Sequence, residues 1–228
     1  MNYLLSKKNR SFLLETECHI WCVDINNTYY INSLKDVSAL SSKEKEKLYS
    51  FRFQEDKSRY LVSHIFLRKI INYYTDIPIS LIKFRYNEYG KAYIYKDISF
   101  PFFFNLSHAH NKALIAINNT EVGVDVEYIK NLLDIYELAS VIFSEREYEC
   151  FLDLSCHNDK LNYFYTIWTK KEAFLKALSI GLVNDLKSIN VCGQSQSKIN
   201  NNFVIQKIDI KHDDYIANVA FEGCSAYK

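Results

Sequence analysis

Polar and apolar positions along the chain change period several times, and each change marks an element. HIWCVDI, His19 to Ile25, reads as a strand. INSLKDVSALSSKEKEKLYSF then turns helical, with Ser41 or Ser42 as the cap and Glu44 or Glu46 behind it. From about Asp56 to Tyr74 the apolar Tyr60, Ile65, Leu67, Ile70 and Ile71 stand among Lys57, Arg59, Arg68 and Lys69, which predicts a longer amphipathic helix. LIKFRYNEYGKAYIY predicts two short strands about Asn87 to Gly90, a hairpin whose glycine is placed for a left-handed residue. FPFFFNLSHAH and KALIAIN are further strands, with His110, Asn111 and Lys112 at the turn between them.

After Asn118, Asn119 and Thr120 the order begins again. A strand runs through GVDVEYI, helical stretches span Leu132 to Ala139 and Asp159 to Ser179, and LKSINVCG, NFVIQKIDI and YIANVAFE are strands. In the last helix Asp159 is placed to cap and Gly181 to stop. Each half runs strand, helices, strands. The fold class expected is therefore α+β in two similar lobes, residues 1–119 and 120–228, with the active site in the cleft between them. The likeness is one of order, since no identity between the halves is visible.

Composition narrows the class. A chain of 228 residues with 48% hydrophobic and 24% charged positions buries a core without staples. A formal net charge of +1 gives no general attraction to nucleic acid or an anionic membrane, so an anion site has to be a local basic pocket. Lys7, Lys8, Asn9 and Arg10 interrupt the first apolar run, which reads as neither a secretion signal nor a spanning helix. The six cysteines are scattered without a CxxC, as in a reduced cytoplasmic protein, and Cys18 and Cys22 of CHIWC read as buried core thiols rather than zinc ligands. Size and the two-lobe pattern permit a monomer, which is the state expected.

GVDVEYI carries the chemistry. On a strand Asp125 and Glu127 project to one side while Val124, Val126 and Tyr128 face the other. Two carboxylates at about 4 Å repel by roughly 4 kcal/mol near a protein surface, so a proton, a basic side chain or a cation has to offset them. In DKLNYFYTIWTKKEAFLKALSIG, Trp168, Glu172 and Lys176 are four apart and share one helix face beside a stripe of Phe164, Lys171, Leu175 and Leu178. Taken alone, Glu172 and Lys176 are an exposed helical pair, and Trp168 is core. Taken with the strand acids, Glu172 is a third oxygen donor for magnesium or manganese, ions that keep waters and bind substrate phosphates. Lys176, one turn on, would then offset charge growing on a leaving phosphate.

GVDVEYI, FSEREY (Phe143 to Tyr148), YTIWTKKEAFLKA and FNLSHA together resemble the 4′-phosphopantetheinyl transferases of the surfactin-synthetase-activating type. The resemblance extends from Glu55 and Arg59, through EYGKA, to GLVNDLKSINV. It implies magnesium-dependent transfer of the phosphopantetheine arm of coenzyme A to a serine of an apo acyl or peptidyl carrier protein, releasing adenosine 3′,5′-bisphosphate. Carried over residue by residue, it implies Asp125, Glu127 and Glu172 as metal ligands and Glu172, directly or through a water, as the base that takes the serine proton. It implies Lys176 beside the departing phosphate, and Ser107, His108, Lys91, Arg59 and Lys47 as coenzyme A contacts. Lys43, Lys45 and Lys47 equally suit a solvated helix start. Two positions depart from the pattern, Ala92 where a proline commonly follows GK and Ala109 where a serine follows SH.

A Ser107–His108 dyad is disfavoured, because neighbours on a strand point apart. Two other readings use the same residues: a magnesium-dependent diphosphate hydrolase, which cleaves coenzyme A without a carrier, and a non-catalytic module that binds coenzyme A or a carrier. The second leaves unexplained why buried like charges are kept. Fatty-acid, polyketide and peptide synthesis are all open as the setting.

Overall fold

The computed structural model describes residues 17–26, 37–95, 98–180, 186–193, 196–199 and 203–223. In chain order these form β1 (His19–Asp24), α1 (Ser42–Ser50), α2 (Gln54–Thr75), β2 (Phe84–Tyr86), β3 (Ala92–Ile94), β4 (Phe103–Ala109), β5 (Lys112–Asn118) and β6 (Val122–Tyr128). They continue with α3 (Ile135–Ile142), α4 (Glu145–Asp153), α5 (His157–Leu178), β7 (Gln196–Ile199), β8 (Phe203–Lys207) and β9 (Tyr215–Glu222). The class is α+β, with three antiparallel sheets ordered β1-β5-β4, β2-β3 and β6-β9-β8-β7.

Local chemistry explains most starts and stops. Ser41 caps α1 in a reciprocal box with Glu44, and Ser144 caps α4 in the same way with Glu147. Gly90, at φ +85°, turns the β2–β3 hairpin. The chain enters α5 through Cys156 without a side-chain cap, so Asp159 is a first-turn acid favoured by the helix dipole rather than the cap expected of it. The helix stops at Ser179, left-handed at φ +62°, whose N–H reaches the carbonyls of Leu175 and Lys176. Gly181, expected to stop it, lies outside the described residues, as do the N-terminal segment and Cys224.

Other expectations shift. The stretch Leu132 to Ala139 becomes a helix only from Ile135 and runs on to Ile142, where burial of Ile135, Ala139 and Ile142 sets its span. FSEREY proves to be the start of α4. LKSINVCG is a short turn and extended segment rather than a strand, because it lies against α4 and α5, with Val191 N–H donating to Glu147. Cys22 is exposed on β1 while Cys18 is buried, and all five described cysteines are free thiols. Among the described residues no helix is long and apolar enough to cross a membrane.

Four layers stack. α2 packs Leu67, Ile70 and Ile71 on Phe104, Ile115 and Ile117 of the first sheet. The other side of that sheet, through Leu114 and Ala116, meets Val122, Val124, Val126, Val219 and Phe221 of the four-stranded sheet. That sheet's far face, with Ile205, Ile216 and Ala220, carries α3, α4 and α5. In both halves the first strand pairs with the last, which pairs with the one before it: β1-β5-β4 and β6-β9-β8.

β6 holds the layers in register. Its even positions Val122, Val124 and Val126 enter the core between the sheets, and its odd positions face α5. Gly123 is the closest approach, since a Cβ there would lie 2.1 Å from the Ala173 carbonyl and 2.4 Å from Ala177 N, both backbone atoms that cannot swing aside. Gly123→Ala is expected to force α5 off β6 and to cost about 2–3 kcal/mol, read as a lower unfolding midpoint in urea.

Candidate active site

β4 and β6 lie side by side in different sheets, and side chains take the place of ladder bonds. Val124 N–H donates to Asn105 Oδ1 at 2.9 Å, and Val126 N–H to Ser107 Oγ at 3.4 Å. Ser107 donates in turn to Asp125 Oδ1 at 2.9 Å. Ser107 thus serves the seam between strands and the acid beside it. Its hydroxyl proton is spent on Asp125, which leaves no Ser107–His108 dyad, although both residues border the same cavity.

That cavity, about 490 Å³, is lined from both halves of the chain. His64, Phe84, Tyr86, Ser107 and His108 stand on one side, and Asp125, Glu127, Trp168, Glu172 and Lys176 on the other. Asp125 is 4% exposed. Its Oδ1 also accepts from Lys176 Nζ at 2.6 Å, whereas its Oδ2 is buried without a hydrogen-bond partner. Glu127 Oε1 accepts from Trp168 Nε1 at 3.2 Å, so the tryptophan is a positioned donor at the cavity wall as well as a packed ring. Glu172 Oε1 is buried and without a partner.

The predicted helical pair is therefore rearranged. Lys176 reaches across to the strand and pairs with Asp125, because β6 offers a more buried carboxylate than the next turn of the helix. Burial raises the pKa of Glu127, and the charge of Asp125 adds to it. Burial likewise raises that of Glu172, opposed by Lys176 and assisted by Asp125 and Glu127. The three acids share one field, in which Lys176 bears on all three and Lys130 on Glu127 as well. Among the described residues no three His, Cys, Asp or Glu side chains converge, as placed, closely enough to hold a metal ion. The two orphaned buried carboxylate oxygens, on Asp125 and Glu172, are the groups that a further hard cation would satisfy.

The basic residues separate. Lys47 projects over the Phe51 ring at 5.2 Å and does not line the cavity, whereas Lys43 lies over the ring of Tyr86, which does. Arg59 donates to the His110 carbonyl at 2.9 Å and to Asp56 at 2.6 Å, which ties α2 to the β4–β5 turn. Lys91 borders the cavity, yet its ammonium is held by protein oxygens: Glu121 Oε2 at 2.5 Å, Lys176 O at 2.8 Å and Val122 O at 3.1 Å.

Two residues at the site take no role from the sequence. His64, in mid-helix, stacks on Tyr60 with ring centroids 3.8 Å apart, donates from Nδ1 to the Tyr60 carbonyl, and is pushed down to a pKa of about 4 by burial, so it presents a neutral ring. Asn105 is part of FNLSHA, but its service to the β6 backbone depends on a strand that arrives later in the chain.

Comparison with known proteins identifies a family for both halves of the chain. Residues 31–120 match the family described as 4′-phosphopantetheinyl transferase, N-terminal, and residues 121–220 match the 4′-phosphopantetheinyl transferase superfamily. The transferase HetI of Nostoc sp. is 34% identical over 181 residues, covering 78% of this chain and 75% of the relative. The transferase gsp of Aneurinibacillus migulanus is 34% identical over 153 residues, 67% of this chain and 62% of its own. Sfp of Bacillus subtilis is 32% identical over 155 residues, 68% of this chain and 67% of the relative. With the strand acids, the helix acid and Lys176 around one cavity, this chain belongs to the 4′-phosphopantetheinyl transferase superfamily, in its Sfp-type branch, and is an enzyme of that transferase class.

Proposed function

We propose that the cavity binds coenzyme A with its diphosphate between His108 and Lys176, and that the phosphopantetheine arm passes to a serine of an apo acyl or peptidyl carrier protein. The observation that carries this reading is the gathering of Asp125, Glu127, Glu172, Lys176, Ser107 and His108 on one 490 Å³ cavity. Asp125, Glu127 and Glu172 would hold Mg²⁺, an all-oxygen set with two orphaned buried oxygens to satisfy. When bound, the ion polarises the phosphoryl oxygens and neutralises their charge.

The remaining roles belong to the chain. Glu172, its pKa raised chiefly by burial, is suited to accept the serine proton as general base. Lys176 offsets the charge that grows on the departing 3′,5′-bisphosphate, and Asp125 aims it there. Phe84 and Tyr86 offer ring faces to the adenine. His108 contacts phosphate, while Arg59 and Lys47 form an outer basic rim, with Lys43 nearer the cavity. The reading places residues 1–119 and 120–228 as two lobes about the cleft, supported by the repeated three-strand order and by walls drawn from both halves. It also makes the enzyme cytoplasmic, where coenzyme A and carriers meet, and a monomer, since one chain supplies both walls of the cavity.

The test incubates the protein with coenzyme A and Mg²⁺, with and without an apo carrier, and weighs the carrier by mass spectrometry. Phosphopantetheine on the carrier serine, lost on omitting Mg²⁺, is expected. Cleavage of coenzyme A without a carrier would make the protein a hydrolase, and binding without turnover would make it a module.

A further inference from the structure

Resting on that reading, we propose that Lys91 is a positioning residue for transfer: its ammonium clamps the last turn of α5 and thereby fixes Glu172 and Lys176 against Asp125, rather than gripping coenzyme A.

The geometry accounts for every proton on the group. An ammonium has three donors, and Lys91 finds three short acceptors in Glu121 Oε2, Lys176 O and Val122 O, with Ala177 O a longer fourth at 3.4 Å. Its side chain is 7% exposed. Two of those acceptors are carbonyls of the last turn of α5, beyond the regular i+4 N–H donors, where Lys176 O also takes the Ser179 N–H at 3.3 Å and Ala177 O the Ser179 hydroxyl at 3.4 Å, and where a cation is favoured by the helix dipole. The other two belong to residues 121 and 122, at the entrance to β6. One ammonium therefore joins the end of the helix that carries Glu172 and Lys176 to the start of the strand that carries Asp125 and Glu127.

The rest of the β2–β3 hairpin reinforces the joint. Asn87 accepts from Lys91 N–H at 2.8 Å and donates to Ser179 O at 2.8 Å, across the left-handed residue that ends α5. The Tyr93 hydroxyl stands 2.9 Å from Ser179 Oγ and 3.2 Å from Glu121 Oε1. Gly123 lets the helix backbone rest on the strand at the same level. Without the ammonium, Glu121 and two helix carbonyls lose their shared partner, and the turn is free to lift. A displacement of about 1 Å at a reacting group costs on the order of a hundredfold in rate.

Three variants test this. Lys91→Met keeps the stem and removes the charge, Lys91→Arg restores a cation, and Glu121→Gln weakens the clamp from its partner while leaving Lys91 in place. The readouts are kcat and KM for coenzyme A on an apo carrier, and amide hydrogen exchange at Ser179 and Ile180, whose N–H groups close the end of α5. Lys91→Met is expected to lower kcat at least tenfold with KM for coenzyme A within twofold, and to speed exchange at those two amides while the core amides of β5 stay slow. Lys91→Arg is expected to recover most of both, and Glu121→Gln to move both less, in the same direction. A raised KM with kcat unchanged would make Lys91 a substrate contact and overturn the proposal, as would unaltered exchange. Should Lys91→Met fail to fold, the same two readouts on Glu121→Gln decide. If the parent protein transfers nothing, the proposed function fails, and the exchange comparison still decides the clamp.

Discussion

Asp125→Asn is expected to lower transfer by a factor of about 100 to 1000 while leaving the metal-free protein folded with nearly its parent stability. The substitution keeps the volume and removes the charge. It turns the charged acceptor that aims Lys176, 2.6 Å from its ammonium, into a neutral amide oxygen, and it replaces the orphaned Oδ2 that suits a hard cation with an NH2 that repels one. Loss of about 3–4 kcal/mol of electrostatic stabilisation in the transition state corresponds to that factor. The fold is spared because two terms oppose. The ion pair with Lys176, a side chain 30% exposed, is lost, but so is the field of Asp125 that raises the pKa values of Glu127 and Glu172. Thermal unfolding with and without Mg²⁺ separates the contributions. The parent midpoint should rise with Mg²⁺ and that of Asp125→Asn should not. Full activity of the variant at saturating Mg²⁺ would remove Asp125 from the metal and catalytic roles proposed for it.

Lys171→Met is expected to produce the largest loss of stability, about 3–5 kcal/mol, with the chemistry of the cavity untouched in the fraction that remains folded. Lys171 and Glu147 are both 0% exposed and lie 2.8 Å apart. Lys171 also donates to Ile142 O at 2.7 Å and Leu186 O at 2.8 Å, and Glu147 accepts from Ser144 N–H and Val191 N–H. Methionine fills the space but leaves a buried carboxylate uncompensated and two carbonyls without this donor. The loss is a large part of the roughly 5–15 kcal/mol that holds a domain folded, and corresponds to a fall of about 6–20 °C in Tm. Urea unfolding should show a lower midpoint at unchanged slope. Lys171→Met combined with Glu147→Gln should recover part of the deficit, because the stranded charge is gone. A loss under about 1 kcal/mol for the single variant would show that water or a rearrangement reaches the pair.

FSEREY and WTKKEAFLK thus have a physical meaning that neither has alone. Ser144 and Glu147 exchange hydrogen bonds as a capping box within four residues, although the apolar periodicity marks no helix there. That Glu147 is also the partner of Lys171, and not of Lys170 beside it, is settled only when α4 and α5 pack and bury one lysine head against the other helix. The same limit explains Lys91 and Lys176. From spacing, Lys176 belongs with Glu172, and the family resemblance implies Lys91 as a coenzyme A contact. Each is instead taken by oxygens more than 30 residues away, or 30 in the case of Glu121. Near α1 the ambiguity runs the other way: Lys43, Lys45 and Lys47 are equivalent as a charged run, and the fold sets Lys43 over Tyr86, a residue of the cavity wall, and Lys47 over Phe51.

By itself the sequence determined what short-range physics governs. The alternation in GVDVEYI puts Asp125 and Glu127 on one side of β6, a serine box opens α1, Gly90 turns its hairpin, and the strand acids and the Trp168–Glu172–Lys176 face announce the chemistry. The tertiary structure decided which ammonium answers which carboxylate and which wall of the cavity each side chain joins. The reason is that periodicity and capping are energies between neighbours in the chain. The partner of a buried charge is chosen by desolvation and by whichever oxygen a distant strand or helix end brings within about 3 Å.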